Sequence, residues 1–173
     1  MQEIELDGET YKNVNGNWVD SSCLIPPGII LRKLWAQSLS AIPGCTDAEL
    51  ETMVQRLREN GLWHESTIAS KALLERYDKR EDMQKLAGFL PVATACLRRD
   101  GRPEEAISVY REQRAKFGNA ILSSPLLTSV AAACCDLGEW DYARRFAEAA
   151  YRRSAGKAGE ELMAVFRRID RGP

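Results

Sequence analysis

The chain has one histidine, His64, in 173 residues. Any cysteine–histidine nucleophile pair would have to use it, and no H-E-x-x-H metal signature can be written around it. A glycine-rich phosphate loop, a G-x-S-x-G nucleophile elbow and an acidic calcium loop are also missing. No apolar run approaches the roughly 18 residues that a membrane span needs. The five cysteines, Cys23, Cys45, Cys96, Cys134 and Cys135, are odd in number and contain no C-x-x-C pair. That pattern speaks against a disulfide scaffold and against a zinc site. An excess of one charge is absent too. Lys and Arg number 24 against 25 Asp and Glu, which removes the broadly basic surface that non-specific nucleic-acid binding requires. The acidic opening, Met1 to Asp7, lacks the basic region of a secretory leader. The expectation is a reduced, cytoplasmic protein without catalytic residues, bound metal, cofactor or membrane contact.

What is there is apolar enough to fold: 45% of residues are hydrophobic and 28% charged, unlike a disordered chain. Length argues for one domain, or one domain and a small appendage. The character changes near Pro26. Residues 3 to 20 read as a three-stranded β-meander: Ile4 to Leu6, Thr10 to Val14 and Asn17 to Asp20. Its turns are Asp7-Gly8 and Asn15-Gly16, the dipeptides that accept positive φ at both centres of a type I′ turn. Three short strands bury no core alone, so residues 1–25 are expected to cap the helices that follow, through Tyr11 and Trp18. Five acids against Lys12 make the meander either a solvated acidic cap or a partner-binding surface.

From Pro26-Pro27-Gly28 onward the periodicity is helical. Ile29, Ile30, Leu34, Leu39 and Ile42, with Trp35 between, form a stripe over about three turns that Pro43-Gly44 ends. Thr46 and Glu49 have capping-box spacing. Pro103-Glu104-Glu105 starts a helix with acids at the positive end of its dipole. Ser124-Pro125 offers a cap followed by proline at the first helical position. Pro91 lies inside an otherwise helical run from about Glu81 to Arg99 and predicts a kink or break just before it. A last amphipathic helix, 159–170, carries Leu162, Val165, Phe166 and Ile169 on one face.

Gly61, Gly101 and Gly138 organise this region. Each follows an apolar-periodic segment, where a helix end takes a left-handed residue. Five residues after them come Ser66, Ala106 and Ala143, all small. Four before come Leu57, Leu97 and Cys134; eleven before come Leu50, Leu90 and Leu127. The spacings, 40 and 37 residues, match helical-hairpin arrays. Each glycine reverses the chain, and the small residue beyond it lets two antiparallel helices approach closely.

This pattern resembles the tetratricopeptide repeat family. Leu127 to Ala143, continuing to Ala147 and Ala150, carries the resemblance best, followed by Leu90 to Tyr110. The resemblance implies a mainly α fold: an α-α superhelix of about three hairpins (about 47–78, 87–117 and 124–154) closed by the 159–170 capping helix. With the meander in front, 28–173 forms the helical domain. It also implies a protein–protein interaction or adaptor module that holds a peptide or protein segment in a concave groove. Carried over position by position, the groove residues are Glu51, Gln55 and Arg58, then Ala95, Arg98 and Arg99, then Thr128, Ala132 and Cys135. Arg58 and Arg98, each three before a glycine, could donate charge-assisted hydrogen bonds to a carboxylate. The family's clamp for acidic C-termini also uses asparagines, which these helices lack, and this speaks against chaperone tails. Two other readings stand beside it. One is a helical-repeat RNA-binding protein, suggested by the doublets at Arg98, Arg144, Arg152 and Arg167, although nearby acids balance them. The other is an enzyme or toxin-type effector. Partner, pathway and oligomeric state are not encoded legibly.

Overall fold

The computed structural model describes residues 2–172. The described chain is mainly helical, with eight α-helices and a small antiparallel sheet at its N-terminal end. Its contacts fall into two compact units, Met1–Leu73 and Leu74–Pro173.

In the first unit, β1 (Glu3–Leu6), β2 (Glu9–Val14) and β3 (Asn17–Val19) pair in sequence order. The register sets Ile4 opposite Tyr11 and Asn13 opposite Trp18. Both turns have the anticipated backbone: Asp7 and Gly8 at φ 55° and 86°, Asn15 and Gly16 at 51° and 79°. α1 (Gly28–Ser38) follows and runs into a 3₁₀ turn at Leu39–Gly44. Trp18 has no exposed surface and meets Trp35 of α1 edge-on, centroids 6.0 Å apart. Lys33 of α1 pairs with Asp7 of the first turn at 3.3 Å. The buried face of α1 is Leu34, Trp35 and Ser38, so of the stripe that periodicity predicts only Leu34 and Trp35 are fully buried. Ile29 is 78% exposed, while Ile30, Leu39 and Ile42 are only half-buried. The two tryptophans fix the helix rotation, because their burial outweighs that of an isoleucine on the first turn.

α2 (Asp47–Glu59) opens with the capping box that its sequence encodes. The Glu49 amide donates to Thr46 Oγ1, and the Thr46 amide donates to Glu49 Oε2 at 2.7 Å. α3 (Trp63–Lys79) follows Gly61, and the Ser66 hydroxyl, fully buried, lies 3.5 Å from the Val54 carbonyl of α2.

The second unit contains α4 (Met83–Arg99), α5 (Pro103–Phe117), α6 (Ser124–Asp136), α7 (Trp140–Arg153) and α8 (Glu160–Arg171). α4 packs on α5 and α6, and α6 on α7 and α8. α6 is the core: nine of its thirteen residues are buried. Its cap is Ser123, not Ser124; the Leu126 amide donates to the Ser123 hydroxyl, and Pro125 sits one place further in.

α4 runs unbroken through Pro91, so of the kink or break that the proline predicts, the break does not occur. Leu86, Leu90, Ala93 and Leu97 lie on one face on both sides of it, all without exposed surface. Burying three leucines is worth more than the one hydrogen bond the proline removes.

The chain reversals are alike. Gly61, Gly101 and Gly138 have φ of 68°, 76° and 72°. In each, the amide of the next residue, Leu62, Arg102 or Glu139, donates to the carbonyl five before it at 2.9 Å. Glu81 makes the same turn between α3 and α4 at φ 53°, with the Asp82 amide donating to the Tyr77 carbonyl. The small residues Ser66, Ala106 and Ala143 have no exposed surface.

Candidate functional site

Arg98 occupies the last turn of α4, three residues before Gly101. Asp136 ends α6, and Arg168 lies in the last turn of α8. Cations at helix C-termini are favoured by the partial negative charge there, and here two of them converge on one carboxylate. Arg98 Nη1 donates to Asp136 Oδ2 at 3.3 Å, and Arg168 Nη2 to Asp136 Oδ1 at 2.6 Å. One aspartate thus bridges three helices that are distant in sequence. The Arg98 side chain is 16% exposed, Asp136 27% and Arg168 39%. The cluster therefore opens to solvent on the Arg168 side. Two guanidinium groups bring ten N–H donors. Asp136 accepts two of them, and Arg98 Nε is buried with no acceptor. Charge and donors both remain in excess.

Cys135, beside Asp136, is buried. Burial pushes its thiol pKa up; Arg168, Asp136 and Arg98 act on it less strongly, the two arginines in the opposite sense. It stays a protonated thiol at neutral pH, buried as a small apolar group. Thr128 is buried as well, its hydroxyl donating to the Ser124 carbonyl within α6. Arg99 is exposed beside Arg98. Of the groove residues read from the sequence, those in this unit divide into an exposed Arg99, a half-buried Ala95 and Arg98, and a buried Thr128, Ala132 and Cys135.

Glu51, Gln55 and Arg58 belong to the first unit and share a face of α2 at four- and three-residue steps. Glu51 and Gln55 are exposed, and Arg58 is half-buried with its Nε lacking an acceptor. Gln55 donates to Glu59 at 2.9 Å, and with Arg56 it holds that carboxyl below its ordinary pKa.

The chain matches no family model, no curated protein and no solved structure. Function has to be argued from the residues. Among the described residues no group of three or more His, Cys, Asp or Glu side chains is placed to hold a metal ion. No helix among them is long and apolar enough to cross a membrane. His64, on the first turn of α3, is exposed.

Asp136 and Arg168 are the site residues that the sequence reading passed over. Asp136 stands 38 residues after Arg98, and Lys116 pairs with Asp78 at 2.7 Å across the same interval. Opposite charges at the same sequence separation were the available signal. The arrangement offers a carboxylate-bearing ligand two guanidinium groups already oriented by an internal acid.

Proposed function

We propose that the protein is an interaction module of the tetratricopeptide-like kind, which binds an acidic segment of a protein partner at the ends of α4, α6 and α8. One observation carries the reading: Arg98 and Arg168 are gathered on Asp136 with donors to spare, at a surface with no adjoining catalytic group. The recurrent reversal supports the repeat interpretation, since the glycine turn, the carbonyl it caps and the buried small residue five places on recur together. Guanidinium forks suit a planar carboxylate better than lysine would.

The test is affinity capture from nuclease-treated lysate with the wild-type protein and with an Arg99→Glu/Arg168→Glu variant. The reading expects partners that survive nuclease and are lost with the charge reversal, while circular dichroism stays unchanged. Recovery that depends on RNA would support the helical-repeat RNA-binding alternative. Recovery indifferent to both treatments would remove this surface from the binding role.

A further inference from the structure

The acidic meander of the first unit has an open edge. Its strand order is β1-β2-β3, so β2 covers only one side of β1. The ladder shows which groups face the other side. The Asn13 amide donates to the Gln2 carbonyl at 2.8 Å, and directly opposed residues of an antiparallel pair alternate between hydrogen-bonded and non-bonded. Gln2, Ile4 and Leu6 therefore bond to β2, opposite Asn13, Tyr11 and Glu9. Glu3 and Glu5, opposite Lys12 and Thr10, turn their N–H and C=O groups away from β2. Among the described residues these four groups have no backbone partner, and both glutamates are exposed.

An unpaired strand edge is a template for a further strand, and the side chains select which. Glu3 and Glu5 stand on the outer face, where Glu3 pairs with Lys12 at 3.1 Å. Ile4 and Leu6 stand on the face of the buried Tyr11 and are only half-buried themselves, with no strand beside them on the open side. Asp7 pairs with Lys33, and Glu9 accepts from the Tyr11 hydroxyl at 2.8 Å. Glu5 has no cation paired with it among the described residues. A second copy of β1 is disfavoured here, because antiparallel pairing would set glutamates directly opposite one another. A strand with Lys or Arg at every second position instead meets both glutamates, and its intervening apolar residues cover Ile4 and Leu6.

We propose that the open edge of β1 is the docking site for an extended basic segment of a protein partner, which adds to the sheet as a fourth, antiparallel strand with alternating basic and apolar side chains. Unpaired main-chain groups supply the affinity, and the glutamates set the choice of segment. This site does not depend on the arginine cluster.

The experiment is a titration of the full chain with the peptide acetyl-Lys-Val-Lys-Val-Lys-amide, following hydrogen exchange at the β1 amides by NMR. In the free protein the Glu3 and Glu5 amides should exchange faster than those of Ile4 and Leu6. The peptide should slow Glu3 and Glu5 several-fold. In the proposed pairing the lysine amides face β1 and the valine amides face away. N-methylation of the lysine amides should therefore abolish binding with the charge unchanged, while N-methylation of the valine amides should not. Glu5→Pro removes an outward amide but no bond to β2, and Glu5→Lys reverses the charge. Each should weaken the peptide about fivefold, with the Trp18 and Trp35 indole signals in place. Unchanged exchange at Glu3 and Glu5 in millimolar peptide overturns the proposal. Equal binding of the lysine-methylated peptide does so too, since charge alone would explain it, as does unchanged affinity in Glu5→Lys.

Discussion

Ala143 has no exposed surface and sits where α7 turns back on α6. A larger side chain there must push the two helices apart. Ala143→Leu is expected to cost about 1–3 kcal/mol in urea unfolding; an unchanged midpoint would show that the register of the small positions is wrong. Glu81 is the reverse case. It holds a left-handed turn at φ 53° that glycine holds in three equivalent reversals. Since an L-residue in that region is strained by about 1 kcal/mol or more, Glu81→Gly should raise the unfolding free energy by about 0.5–1 kcal/mol. A decrease would mean that the glutamate side chain contributes more than its backbone strain costs.

The thiols report burial at the same scale. Burial, ahead of the Glu139 charge, pushes the Cys134 pKa from 9.0 to about 12. The folded state therefore holds this proton more tightly than the unfolded chain. Stability from the group is complete below about pH 9 and is lost as pH rises toward 12. At about pH 8 a thiol reagent should titrate the exposed Cys23 quickly and reach Cys134 only as the protein unfolds. Rapid modification of Cys134 in the folded protein would contradict its burial.

Among the elements, α4 shows how tertiary packing can override a local rule. Proline at position 91 lacks the amide that would donate to the Ala87 carbonyl, yet the helix continues because its apolar face is buried before and after that point. The Thr94 hydroxyl donates to the Leu90 carbonyl there at 3.0 Å. Pro91→Ala restores the missing bond and should stabilise the protein by about 1–3 kcal/mol, read by chemical denaturation. A loss of stability would show that contacts of the ring matter more. α1 makes a related point. Its sequence supports several apolar faces, and the one buried is chosen by Trp18, a residue of another element.

On the scale of the molecule, the meander completes the core of the first unit. Trp18 covers Trp35, and Gly16 approaches α2 so closely that a Cβ would stand 2.8 Å from the Thr52 methyl. Deleting residues 1–25 uncovers Trp35 and Leu34, large apolar groups that are costly to leave in water. The truncated chain should melt at lower temperature and self-associate, measured by thermal unfolding and by light scattering after size exclusion. A monomeric truncation of equal stability would make the meander a separate module.

Local stereochemistry explains how much of this was legible beforehand. Type I′ turns at Asp7-Gly8 and Asn15-Gly16, the Thr46–Glu49 box and the left-handed glycines at 61, 101 and 138 depend on residues within one turn of each other, so the sequence alone determined them. The same holds for the small positions, because a buried residue in a tight hairpin has nowhere to put a larger side chain. Tertiary structure alone decided the rotation of α1, the continuity of α4 through Pro91 and the left-handed Glu81. It also decided the meeting of Arg98, Asp136 and Arg168, which are brought together from separate helices. Each of these depends on burial or charge contributed by another element, and neither energy is written in the residues that respond to it.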